Sequence, residues 1–314
     1  MQHDLTHEAE SRSAQARRLR AAHLSGLVRP LALVRPEQGA LPVGHVVGHV
    51  AGHVAVSLGA GELDASLPDR GLALGALHEC VPAGHGDFAA ALGFSLALAA
   101  RVVSKCAADA RPGGVLWVFP THCGFEQGRL HAPGLMAFGL DPARFIEVGV
   151  QKTRAMLWVM EEGLSTGALA AVIGVETGRD YDFTASRRLA MRAERSGVTA
   201  LLIRACKQAD GSGGASTAAT TRWRIATEPH AHQLGAAGPR IGQGHENPGV
   251  GAPRWAVSLI KSKRGMPGHR QVVEWDHETL SFRMAAALAG RTPVSQNRRG
   301  TGEQAGSRKW AAAS

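Results

Sequence analysis

Aromatic residues are scarce in this 314-residue chain: they make up 5% of it, with a single tyrosine, while 44% of the residues are apolar. Core packing therefore falls mostly to Ala, Leu and Val, and the length suits one large domain or a core domain with appendages. Cysteine is also rare. Cys80, Cys106, Cys123 and Cys206 form no C-x-x-C pair and no His/Cys zinc spacing, which argues against a disulfide framework and for scattered reduced thiols in a cytosolic protein. The first 25 residues are polar and carry Asp4, Glu8, Glu10, Arg12, Arg17, Arg18 and Arg20, unlike a secretory leader. The longest nearly uncharged apolar stretch, Phe88–Ala100, is 13 residues, short of the about 20 that a membrane span needs. The expectation is a soluble cytoplasmic protein with no membrane contact.

A further absence is more telling. Residues 71–100 are laid out like a phosphate-binding loop: an apolar strand, Leu77–Val81, runs into a turn with Gly84 and Gly86, and a long apolar helix begins near Asp87. A nucleotide-binding turn reads G-x-x-x-x-G-K-[ST], its Lys facing the β/γ-phosphates and its Ser/Thr holding Mg²⁺. On that frame Val81 takes the first Gly, Gly86 the second, Asp87 the Lys and Phe88 the Ser/Thr. Exchanging attraction for repulsion toward one phosphate charge at ~4 Å and an effective dielectric of ~20 is a swing of several kcal/mol. The scaffold is retained without the residues for ATPase chemistry. No cofactor is expected, and the favoured reading of the turn is an ordinary βα connection with Asp87 capping the helix.

The formal charge of +9 is uneven, because residues 222–314 hold 14 Lys/Arg against 6 Asp/Glu. A basic C-terminal third points to a polyanion or an acidic partner, or to a solubilising tail. Residues 1–55 read as an irregular approach segment. Within it GHVVGHVAGHV places His45, His49 and His53 four residues apart, but the interleaved Gly and Val disfavour the helix that would gather them. No metal is assigned.

Residues 56–228 alternate strand and helix candidates. Strands are expected at Leu77–Val81, Val115–Phe119, Phe145–Val148, Leu169–Val175 and Val198–Arg204, with helices at Asp87–Lys105, Lys152–Leu164 and Thr184–Ser196. This predicts an α/β fold with a mainly parallel sheet between helix layers. Residues 229–253, rich in Pro and Gly, read as a linker, 254–290 as a small basic C-terminal β hairpin, and 291–314 as a disordered tail.

Glu176, directly after an apolar strand, stands where a P-loop ATPase keeps the carboxylate that holds Mg²⁺ through water, but Phe88 offers that metal no oxygen. His122 and Cys123 follow the strand Val115–Phe119, and adjacent residues do not normally aim their side chains at each other. No catalytic residue is assigned. Arg254, Lys261, Lys263, Arg264 and Arg270 cluster beside Trp255 and Trp275, a mixture of cations and aromatics that suits nucleic acid or an acidic protein surface.

Seven segments together resemble the inducible-mutagenesis protein A (ImuA) family: LGAGELDASLPDRGLALGALHE (58–79), GRLHAPGLMAFGLDPARFIEV (128–148), MLWVMEEGL (156–164), LAAVIGVETG (169–178), DFTASRRLAMRAERSGVTALLIR (182–204), TRWRI (221–225) and RWAVSLIKSKRGMPGHRQVVEWD (254–276). The resemblance covers about residues 56–285 and implies a RecA-like core with a degenerate P-loop. It further implies a non-catalytic accessory role in SOS error-prone translesion repair, in contact with a Y-family-like polymerase partner and RecA, nucleoid-associated when engaged, with DNA itself a possible ligand. Two alternatives stay open: a DNA-dependent ATPase of RecA type, and a cell-division inhibitor of the SulA type.

Overall fold

Strands that are apolar on both faces need cover on both, and the computed structural model supplies it. It describes residues 54–285 except 127, 179, 205–215, 230–251, 266 and 269, together with the backbone of 28–30. The histidine repeat, most of the approach segment and of the 229–253 connection, Cys206 and the tail from 291 lie outside the described residues.

In chain order, β1 (Val28–Pro30), β2 (Ala55–Val56), α1 (Gly61–Ala65) and β3 (Leu72–Ala73) precede the central unit. That unit comprises β4 (Leu77–Pro82), α2 (Phe88–Ala108), β5 (Gly114–Pro120), α3 (Thr121–Glu126), α4 (Ala132–Ala137), β6 (Phe145–Val150) and α5 (Thr153–Ser165). It continues through β7 (Leu169–Glu176), α6 (Phe183–Ser196), β8 (Thr199–Arg204) and β9 (Thr221–Thr227), and the C-terminal strands are β10 (Arg254–Ser262), β11 (Gln271–Asp276) and β12 (Ser281–Met284). One ten-stranded sheet runs β1-β6-β5-β7-β8-β4-β9-β10-β11-β12. Its pairs from β6 to β9 are parallel, and those from β9 to β12 are antiparallel. This is the expected α/β core, a mainly parallel sheet between helix layers. The β10–β11 hairpin is present but is not a separate appendage, since β10 pairs along β9 and extends the main sheet.

The helices divide the core in two. Under α2 lies a layer that includes Cys80, Ile173, Leu201, Trp223, Trp255 and Trp275. Under α5 and α6 lies another, built on Leu77, Val172, Leu202, Met160 and Leu189. Six of the chain's few aromatics gather on the α2 side, where Phe94 meets Trp223, Trp255 and Phe282 at centroid distances of 5.8, 5.9 and 5.2 Å. Phe138 and Trp275 complete the group. Such pairs add roughly 0.5–1.5 kcal/mol each beyond the area they bury. Gly93 makes room, for a Cβ there would lie 3.2 Å from the Trp255 ring. By length and hydropathy α2 passes for a membrane span. Here its Phe94, Ala97, Leu98 and Val102 are buried against the sheet.

In this layer His78, Thr221 and Trp223 satisfy one another, while the buried Trp275 indole N–H has no hydrogen-bond partner among the described residues. The Trp223 indole N–H donates to Thr221 Oγ1 at 2.9 Å, and Thr221 lies 2.7 Å from His78 Nδ1. The other ring nitrogen of His78 is 2.8 Å from the Ala73 carbonyl. A neutral imidazole carrying its proton on Nε2 completes this chain. On the opposite side α6 starts where Asp182 accepts from the Ala185 N–H at 2.7 Å and stops at Gly197, whose φ of 73° suits glycine. Glu161 of α5 holds α6 through Arg188 and Arg192, at 3.0 and 3.2 Å.

Candidate functional site

The turn after β4 is closed against β9. Ala83 N–H donates to the Ile225 carbonyl at 2.7 Å, and Asp87 N–H donates to Gly84 O at 3.1 Å. Asp87 does not cap α2, contrary to the sequence reading; its side chain makes no cap hydrogen bond, and Oδ1 instead accepts from the Thr227 N–H at 2.8 Å. The end of β9 is close enough to compete for that carboxylate. Gly84 and Gly86 show no positive φ, and Phe88 is a buried core residue. A phosphate would meet a carboxylate where it needs a cation, and two of the turn's N–H groups are already engaged. The residues present do not fit a nucleotide triphosphate with its Mg²⁺.

Glu176 ends β7 beside Arg204 of β8, with which it is in register. Its side chain is fully buried, neither oxygen has a hydrogen-bond partner among the described residues, and the Arg204 Nε is 4.0 Å away. Burial pushes its carboxyl up to about 7, opposed by Arg204. At neutral pH such a group is divided between acid and anion.

One strand away lies a constellation that sequence reasoning missed. Glu79 of β4, also fully buried, accepts from the Tyr181 hydroxyl at 2.6 Å, the Thr217 hydroxyl at 2.5 Å and the Arg222 Nε at 2.6 Å. The Arg204 guanidinium sits over the Tyr181 ring at 5.2 Å. A register shift in β10 between Leu259 and Lys261 sets Lys261 opposite Arg222. The Lys261 ammonium then donates to the Thr217 carbonyl. Burial, followed by the Glu79 charge, pushes the Tyr181 phenol up, so the chain's one tyrosine stays a donor. Glu79, Tyr181, Thr217 and Arg222 satisfy one another here, while the buried Arg204 Nε finds no hydrogen-bond partner among the described residues; the arrangement fixes the 217–222 segment to β4. The available sequence signal was a charge inside each of two apolar strands, Glu79 and Arg222.

The basic loop departs from its expected role. Trp255 and Trp275 are 4% and 0% exposed; they belong to the aromatic core because β10 and β11 extend the sheet beneath Phe138 and Phe282. The reading of both as surface contacts is corrected. Arg254 is largely buried 3.6 Å from Glu274, Arg270 pairs with Glu228, and Lys261 is engaged as above. Lys263 and Arg264 remain exposed at the tip. With Leu67, Pro68 and, on α6, Ala190 and Glu194, they line a cavity of about 180 Å³. Among the described residues no group of three or more His, Cys, Asp or Glu is placed to hold a metal. Cys80, Cys106 and Cys123 are all buried, and Cys80 and Cys106 are free thiols.

Comparison with known proteins adds a lineage to this geometry. No protein-family model matches the chain. Over 241 residues it is 30% identical to Protein ImuA of Caulobacter vibrioides strain NA1000 / CB15N, a match spanning 74% of this chain and 90% of that protein. The same identity and coverage hold for Protein ImuA of the strain ATCC 19089 / CIP 103742 / CB 15. The chain belongs to the ImuA family. Among solved structures, the RadB recombinase crystal structure is similar with a TM-score of 0.45 and 14% identity, over 73% of this chain and 99% of that one. Within this chain, the segments that carry the family resemblance supply most of the sheet. DFTASRRLAMRAERSGVTALLIR forms α6 and β8, and TRWRI forms most of β9.

Proposed function

We propose that this protein is a non-catalytic accessory factor in DNA damage-induced, error-prone translesion repair, acting in the cytoplasm and at the nucleoid through contacts with a translesion polymerase partner and RecA. Family membership supports the damage-induced mutagenesis role. The observation that carries the non-catalytic part is the turn Ala83–Phe88, where the Asp87 carboxylate bonded to Thr227 N–H replaces the phosphate-facing lysine. Without a cation at that position, triphosphate binding lacks its main electrostatic support.

The test is genetic. Removing the gene should lower damage-induced mutation frequency, and the wild-type gene should restore it. The variant Glu176→Gln should restore it equally, because no ATP chemistry passes through that carboxylate. A folded Glu176→Gln protein that fails to restore mutagenesis would favour the ATPase alternative.

A further inference from the structure

On its solvent side α6 carries a row at i, i+4, i+8 and i+12: Phe183, Arg187, Met191 and Arg195, all exposed. Phe183 and Met191 are 47% and 41% exposed. They rank among the few large apolar side chains left in water among the described residues. Residues four apart on a helix are neighbours, about 5–6 Å between Cβ atoms, so the row is one continuous strip about 18 Å long. Arg188 and Arg192 lean inward to Glu161, whereas the structure gives Arg187 and Arg195 no carboxylate among the described residues. On a neighbouring face of the same helix, Ala190 and Glu194 line the cavity described above, whose wall also carries Asp69, Lys263 and Arg264.

We infer that this strip is the docking surface for an acidic amphipathic helix of a protein partner. Two unpaired arginines two turns apart call for carboxylates about eight residues apart. The exposed Phe and Met between and beside them call for a bulky apolar residue at each intervening turn. A nucleic-acid backbone would use the arginines and leave Phe183 and Met191 in water; a purely apolar partner would bury two guanidinium charges without partners, at a cost. The inference rests on the interaction-protein reading and adds to it the face used and the chemistry of the occupant.

The test uses the full chain and three probes: a fluorescein-labelled 20-residue helical peptide with Glu at positions eight apart and Leu between them, the same peptide with Lys for Glu, and duplex DNA of 20 base pairs. The acidic peptide should bind, and Arg187→Glu/Arg195→Glu should weaken it at least tenfold while binding the Lys peptide better than wild type does. Phe183→Ser/Met191→Ser should weaken it comparably with the melting temperature unchanged. Equal binding of the acidic peptide by wild type and both variants overturns the inference. Tighter binding to DNA that depends on Arg187 and Arg195 overturns it too, as does a wild-type dimer that the variants convert to monomer. Any of these leaves the ATPase and mutagenesis tests untouched, so the failure of the docking surface is separable from failure of the functional reading.

Discussion

The two faces of the central strands are made differently. Toward α2, strands β4, β7, β8 and β9 present His78, Cys80, Ile173, Val175, Leu201, Ile203, Trp223 and Ile225, all uncharged when His78 is neutral. Toward α5 and α6 the same strands present Glu79, Glu176, Arg204 and Arg222, all buried. Shape holds the first face; on the second, ion pairing and hydrogen bonding must compensate the removal of four charged groups from water. The faces also titrate in opposite senses. Burial lowers His78 to about 4, so its contribution is present above pH 6.5 and is lost as pH falls toward 4. Glu176 is raised from 4.5 to about 7, so its contribution is full below about pH 4.5 and is lost as pH rises through 7.

The strongest way to break the contrast is on the α2 face. Trp223→Ala empties the centre of the aromatic group and should cost about 4 kcal/mol, lowering the melting temperature by roughly 10 °C at every pH from 5 to 9. Next, Glu79→Leu leaves Arg222 buried without its carboxylate and should cost about 3 kcal/mol, whereas Glu79→Leu with Arg222→Met should recover most of that loss in a double-mutant cycle. A double variant as unstable as the single would mean that Glu79 acts through Tyr181 and Thr217 instead. Smaller and of opposite sign is Glu176→Gln. It should stabilise by about 2 kcal/mol at pH 8 and hardly at all at pH 5, read from denaturant midpoints at the two pH values. The smallest effect is expected at the loop tip. Lys263→Ser with Arg264→Ser should change stability by less than about 0.5 kcal/mol.

Much of the sheet could be read in advance, because buried parallel strands are written as apolar runs: Leu169–Val175 and Val198–Arg204 fall within a residue of β7 and β8. The short strand Ser281–Met284 carries no such run and went unread. In β10, Trp255, Val257 and Leu259 share the buried face, but what covers that face depends on Phe138 and Phe282, and the neighbouring cations suggested an exposed patch instead. The Glu79 constellation was out of reach for a plainer reason. Its arginine lies 143 positions along the chain and its tyrosine 102, and no local pattern links them. That the turn lacks a Lys and a Ser/Thr at its phosphate positions was plain from Asp87 and Phe88, whereas the cap expected of Asp87 did not form. Only the partner of Asp87 came from the fold.

The central proposal is that this α/β scaffold works without nucleotide chemistry. Titration calorimetry of the full chain with ATP and Mg²⁺, with and without single-stranded DNA, tests it most directly. The account predicts no saturable heat up to millimolar ATP and no phosphate release. Micromolar affinity, about −8 kcal/mol, with DNA-stimulated phosphate release that disappears in Glu176→Gln, would contradict it.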